Sequence, residues 1–195
     1  MTRVATQVLE RPSRAAEWTK QAGVVIGASL VVALCARITV PLPFTPVPLT
    51  MQNFGVLLVG LLLGSRRGFA ALALYLAEGA SGLPVFSPSA LGLHGIAQIL
   101  GPTGGFLMAY PLVAFATGWI YEHTPRRIGS AALAATVGEF ILFAGGLGWL
   151  FALTHSVSQA FKWGLYWFVF AEVIKIALAA GFAARWNKRL SPIGR

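Results

Sequence analysis

Glu172 and Lys175 lie in Ala171-Glu-Val-Ile-Lys-Ile176, within the last long apolar stretch of the chain. A charge at the centre of a helix in lipid costs about 2.5–3.5 kcal/mol on insertion scales, so two together imply a pairing or a binding role. Their i, i+3 spacing puts them on one helix face, within reach of each other. Leu165 and Phe168 extend that face into an apolar wall ending in a carboxylate and an ammonium. A buried ion pair that locks the helix to its neighbours is the structural alternative; the default for intramembrane charges favours a site. Glu139, in Val137-Gly-Glu-Phe140, has no basic neighbour on its own helix and lies in the inner half of its span, where a carboxyl is either protonated or hydrogen-bonded across helices, a structural role.

Two further segments carry polar groups. Pro41, Pro43, Pro46 and Pro48 forbid a helix and impose an extended path packed onto the protein, after which Thr50 to Asn53 restart one. Gln52, in the first turn, offers both donors and acceptors to a ligand. The segment from Glu78-Gly-Ala-Ser-Gly-Leu-Pro-Val-Phe86 to Gly101-Pro-Thr-Gly-Gly-Phe106 is rich in glycine, and the helix after Pro102 opens with free amides at Thr103 and Gly104. No lysine follows in Walker spacing, so an ATP site is excluded there. Short segments interrupted by Gly and Pro mark a small-molecule pocket instead.

Other chemistries find little support. Ser87 and Ser89 share a loop with His94, which suggests an intramembrane enzyme, but no Gly-x-Ser-x-Gly elbow or paired acid accompanies them. Cys35 is the single cysteine, and His94, His123 and His155 sit in three separate segments, so neither an internal disulfide nor a metal centre is expected. No cofactor is expected either. A channel would need polar residues repeating along a span, and none do.

The elements that position these residues are membrane helices. Of 195 residues, 56% are hydrophobic and only 11% charged, against roughly 25% charged in a soluble domain. Mean hydropathy is +0.72. The net charge of +9 does not indicate nucleic acid, because the basic residues form short clusters between apolar runs rather than one face. Apolar runs at 21–40, 48–64, 68–86, 103–121, 128–153 and 160–184 predict six transmembrane helices. The second and third are short enough to be limbs of a re-entrant hairpin, and charge arbitrates.

With the N-terminus inside, twelve of the fifteen basic residues are internal: Arg3, Arg11, Arg14, Lys20, Arg66, Arg67, Arg126, Arg127, Arg185, Lys188, Arg189 and Arg195. The outer segments 41–47, 87–102 and 154–159 hold none. The expected organisation is therefore a cytoplasmic arm over 1–20, a six-helix membrane domain over 21–190 and a cytoplasmic tail over 191–195. No fixed-period repeat points to an inverted-repeat transporter. In the first span, Gly23 with Gly27 and Ser29 with Ala33 form small-xxx-small pairs, suited equally to a partner helix or to internal packing.

The motifs, taken in order, resemble those of the BioY family, the biotin-specific S components of energy-coupling factor transporters. Pro46 to Gln52 matches Pro-Val-Pro-[Ile/Leu]-Thr-x-Gln, Leu63-Gly64 a helix-end Leu-Gly, Gly82 to Phe86 Gly-Leu-Pro-Val-Phe, and Gly101 to Phe106 Gly-Pro-Thr-Gly-Gly-[Tyr/Phe]. Glu172 and Lys175 stand where the family usually has Asp-x-x-Lys, and Phe106 stands where Tyr is common. The similarity runs from about Ala36 through Ala180.

The resemblance implies an all-α, six-helix S-component fold in a prokaryotic plasma membrane, with outer loops closing over biotin. It implies partners too: a membrane-embedded (EcfT-like) coupling subunit and two cytoplasmic ATPases, with Gly23, Gly27, Ser29 and Ala33 gaining weight as the contact. Biotin's carboxylate tail, ureido ring and thioether ring need a cation, acceptors, an amide and apolar walls. Lys175, Glu172 and Gln52 match the first three, and Phe86, Phe168 and Tyr75 the walls. One assignment pairs Lys175 with the carboxylate and lets Glu172 accept from the ureido group; the reverse places Gln52 at the ring. The chief alternative is an S component for another vitamin, such as thiamine or riboflavin.

Overall fold

The structure, a computed structural model, describes residues 14–190, with side chains as far as Asn187. The tail at 191–195 and most of the expected arm lie outside the described residues. Helix α1 (Arg14–Arg37) starts earlier than its apolar run, so residues 14–20 are already helical. A two-stranded antiparallel pair follows, β1 (Thr39–Val40) with β2 (Leu49–Thr50). Then come α2 (Gln52–Ala80), the short α3 (Gly95–Leu100), α4 (Gly104–Glu122), α5 (Ile128–Thr154), α6 (Val157–Gly164) and α7 (Val169–Leu190). By length and composition α1, α2, α4 and α5 are able to cross a bilayer, and α6 with α7 makes a fifth candidate bent by 48°.

The difference from six apolar runs lies in α2. Gly64 has φ 81° and ψ −179°, a backbone open to glycine alone. A Cβ there would also collide with Oε1 of Glu122. On its two sides the chain meets itself: a Cβ on Gly68 would lie 3.4 Å from Cα of Gly60, and Gln52 Nε2 is 2.8 Å from the Tyr75 hydroxyl. In a continuous helix those pairs would be about 12 and 34 Å apart. The chain therefore doubles back at Gly64, making α2 a hairpin of two limbs, 52–63 and 65–80. The first limb is about 18 Å long and the second about 24 Å, both short of the roughly 30 Å hydrocarbon core.

Other elements gather around this hairpin. Gly60 and Gly118 let its first limb and turn touch the backbone of α4. Glu122, at the end of α4, accepts from Ser65 N (3.0 Å) and Ser65 Oγ (2.7 Å) at the hairpin turn. Asn187 Nδ2 donates to the Tyr121 hydroxyl (2.8 Å), which brings the end of α7 to the same side. Arg66, Arg67, Arg126, Arg127 and Arg185 thus share one end of the molecule. Tyr121 is buried at this end.

Candidate functional site

At the opposite end, the Pro-rich connector folds down as expected for a packed segment. Thr45 Oγ1 donates to the Trp163 carbonyl (2.8 Å), and Phe44 lies against Trp167 with ring centroids 4.2 Å apart. Val47 joins Leu150, Ala160 and Phe168 in a small apolar cluster. The anchoring point is the break between α6 and α7, where Leu165 leaves helical geometry and Phe168 turns inward. Phe168 lies one helical turn before Glu172, whose backbone N–H donates to the Phe168 carbonyl (2.9 Å).

Below that cap sits a buried polar network. Lys175 Nζ donates to Glu172 Oε1 and to Asn53 Oδ1, both at 2.8 Å. Asn53 Nδ2 donates to Glu172 Oε2 and, at 3.2 Å, to Glu139 Oε1. Asn53, Glu139, Glu172 and Lys175 are each 4–5% exposed. Glu139 Oε2 has no hydrogen-bond partner among the described residues. Three elements thus contribute: the first turn of α2, the middle of α5 and the first two turns of α7. A cavity of about 50 Å³ adjoins the network, lined by Pro48, Thr50, Asn53, Phe106, Tyr110 and Phe168 among others, with Glu172 and Lys175 at its polar side.

The structure divides the residues singled out from sequence. Glu172, Lys175 and Phe168 meet at the cavity. Gln52, Tyr75 and Phe86 form a separate buried cluster, because consecutive helix residues point about 100° apart and Gln52 turns toward the second limb. There Gln52 Nε2 donates to Tyr75, whose hydroxyl donates to the Val85 carbonyl (2.8 Å), and Phe86 sits edge-on to Tyr75 with centroids 5.4 Å apart. That cluster braces the outer loop, which Arg37 also holds by donating to the carbonyls of Pro84 and Phe86.

Thr103 and Gly104 do not line the cavity. Gly104 is a glycine because a Cβ would strike the Ile99 carbonyl and Trp149. Asn53 and Tyr110 escape a reading of the sequence. A polar residue beside Gln52 at a helix start is the only signal for the first, and sequence gives no face for it. Of the two roles open to Glu139, the structure shows the hydrogen bond across helices, from Asn53. Glu78, in the last turn of α2, accepts from Ser29 Oγ.

In α1, Gly23 and Gly27 face outward: a Cβ added at either would have nothing within 4 Å. Ser29 is fully buried and Ala33 packs on the core, so the two small-xxx-small pairs do not share one face.

A sequence profile described as the BioY family matches residues 6–192. The chain belongs to the BioY family. Among relatives, a protein from Lactococcus lactis subsp. cremoris called "Biotin transporter BioY2" is 34% identical over 169 residues, covering 86% of this chain and 90% of its own. "Probable biotin transporter BioY" of Pyrococcus horikoshii is 37% identical over 140 residues, covering 72% and 80%. The crystal structure of "the S-component for biotin from an ECF-type ABC transporter" superposes with a TM-score of 0.78 at 24% identity, over 89% of this chain and 93% of that one. The fold of this BioY-family chain is therefore the S-component fold.

Proposed function

We propose that this protein is the biotin-capturing S component of a vitamin-uptake transporter, a multi-pass protein of the prokaryotic plasma membrane and not an enzyme. The observation that carries this reading is the buried Asn53–Glu139–Glu172–Lys175 network beside an apolar cavity, in a chain whose family relatives are named as biotin transporters. Calorimetry on the purified protein in detergent tests it. Biotin should bind with nanomolar to micromolar affinity, and equal affinity for thiamine or riboflavin would remove the specificity.

Charge in the network supports one orientation of biotin. The network already sets two carboxyls around one ammonium, and a ligand carboxylate would add a third in a site withdrawn from water. A ureido ring is neutral and offers two N–H donors and one carbonyl. Glu172 and the spare Glu139 Oε2 are the acceptors for those donors, and Lys175 or the Asn53 amide donates to the carbonyl. The ring therefore meets Lys175 and Glu172 together, and the carboxylate tail points to the outer loops. This replaces the pairing of Lys175 with the carboxylate that sequence alone suggested. Phe106, Tyr110 and Phe168 are the walls for the thioether ring.

The cavity of about 50 Å³ is well under the roughly 300 Å³ at which ligand pockets begin. Loading consequently requires the Pro-rich cap and Phe168 to lift, as expected of an outer lid. Gln52, Tyr75, Phe86, Thr103 and Gly104 hold the loops around that opening.

We read the topology as six crossings with both termini cytoplasmic, each limb of α2 counting as one, with the bilayer thinning locally around these short limbs. The gathering of Arg66, Arg67, Arg126, Arg127 and Arg185 at one end supports that orientation. A reporter fused after Arg195 should read as cytoplasmic and one within 87–94 as external; the opposite pattern would reverse the molecule.

A membrane-embedded coupling subunit and two cytoplasmic ATPases complete the transporter. The open face at Gly23 and Gly27, beside a cleft lined by Ala28, Val31 and Leu62, is the proposed contact for the coupling subunit. Gly23→Leu or Gly27→Leu should reduce co-purification with that subunit while biotin binding stays nearly unchanged. Ser29 and Ala33 belong to the core side, and their replacement should lower stability instead. If the two glycine variants lose biotin binding and assembly together, their face packs internally.

A further inference from the structure

A larger cleft, of about 710 Å³, opens on the flank formed by α7 and the start of α5. Phe54, Gly181 and Phe182 are among its apolar lining, and Arg126, Arg127 and Arg185 stand at one end. It runs from the level of the polar network, where Ala177 follows Lys175 by two residues, down to the basic end. Phe182 is 46% exposed, and a Cβ on Gly181 would have nothing within 4 Å, so the cleft is open along its length. The three guanidiniums have no ion-pair or hydrogen-bond partner among the described residues; the single ion pair there is Lys175 with Glu172. Glu122, the acid nearest in sequence, is committed to Ser65. The first turn of α5, which has no side-chain cap at Arg127, adds to the positive potential at this end.

We propose that this cleft is a binding site for an anionic phospholipid, with an acyl chain against Phe54 and Phe182 and the headgroup phosphate between Arg126, Arg127 and Arg185. Charge complementarity selects the occupant. A polar anion alone would use the arginines and leave the apolar length without a purpose, whereas a lipid uses both. The chain's own termini are poor candidates, because Arg3, Arg11 and Arg195 outnumber Glu10 there and repel the arginines. A second copy in an isologous pair would set arginines against arginines. Basic pockets between membrane helices recognise lipid phosphates by this combination of charge and hydrocarbon contact.

Native mass spectrometry of the full chain, stripped of lipid in detergent and without biotin, tests the site with phosphatidylglycerol, phosphatidylcholine of the same acyl chains, and inorganic phosphate. Phosphatidylglycerol should be retained about tenfold to a hundredfold over phosphatidylcholine, from three arginines near one phosphate. The triple variant R126Q/R127Q/R185Q should bring the two lipids to parity. Gly181→Leu, which fills the cleft and leaves every charge in place, should lower retention of phosphatidylglycerol. A separate biotin titration shows whether each variant is folded, and Arg185→Gln alone serves if the triple variant is not. Preference that survives the arginine changes overturns the proposal. So does retention that ignores Gly181→Leu, or lipid displaced by inorganic phosphate at equal concentration. Because the readout is lipid, its failure is distinct from a failure to bind biotin.

Discussion

Lys175→Ala should lower biotin affinity at least about tenfold to a hundredfold. The ammonium is buried and holds Glu172 and Asn53 at 2.8 Å each. A hydrogen bond to a charged group is worth about 1.5–3 kcal/mol, and each 1.4 kcal/mol is a factor of ten. Truncation also leaves Glu139 and Glu172 facing each other with no cation, and uncompensated buried charge is strongly unfavourable. Biotinamide, which lacks the tail charge, separates the two ligand orientations. With the ureido ring at the network, biotin and biotinamide should lose affinity by similar factors. If biotinamide loses much less than biotin, Lys175 receives the carboxylate and the orientation proposed above is reversed. Glu172→Gln is the companion measurement: it keeps an acceptor for Asn53 but removes the charge opposing Lys175, and affinity should fall less than in Lys175→Ala.

The same residues mark how much of the site the sequence discloses. Glu172 and Lys175 were legible because charge in hydrocarbon is conspicuous and i, i+3 spacing is local. The Pro-rich cap was legible because proline dictates backbone path wherever it occurs. Asn53 was not, since the difference between it and Gln52 is a rotation of about 100° whose sense depends on which neighbours surround the helix. Gln52, Tyr75 and Phe86 illustrate the converse: their chemistry suits a ligand, and in the structure their hydrogen bonds and ring contact brace a loop away from the cavity. Glu139 enters the network only through Asn53, a contact between residues far apart in the chain. For the fold, the bounds of α4 and α5 followed from hydropathy to within about a residue. The break at Leu165 did not: Gly164 precedes it, but a lone glycine within an apolar run does not by itself specify a break, and the contacts of Phe44, Thr45 and Val47 stabilise it from outside the helix. The hairpin at Gly64 was foreshadowed by short, Gly-rich runs, and only its φ of 81° and the contact between Gly60 and Gly68 make it a reversal.

That reversal leads to the largest expected effect on stability. Gly118 of α4 lies against the hairpin turn so closely that a Cβ would be 2.5 Å from the Gly64 carbonyl carbon, 2.5 Å from Ser65 N and 2.9 Å from the Gly60 carbonyl oxygen. All three are backbone atoms, so no side chain is able to rotate away. Gly118→Ala should therefore force α4 and the hairpin apart at a cost of about 1–3 kcal/mol, and Gly118→Leu should leave little folded protein. The opposing effect of replacing glycine in a helix interior is a gain of about 0.5–1 kcal/mol, too small to offset a clash with three backbone atoms. Gly148→Ala isolates that gain, since Gly148 is in mid-helix α5 with nothing within 4 Å of its Cβ position. Thermal unfolding in detergent should place Gly118→Ala several degrees below wild type and Gly148→Ala at or above it. The hairpin also sets the position of Asn53, so Gly118→Ala should weaken biotin binding without touching the ligand, whereas Gly148→Ala should not. Equal unfolding temperatures for the two variants would mean that α4 and the hairpin are not in backbone contact at Gly118, and the account of α2 as two limbs held by that contact would fail.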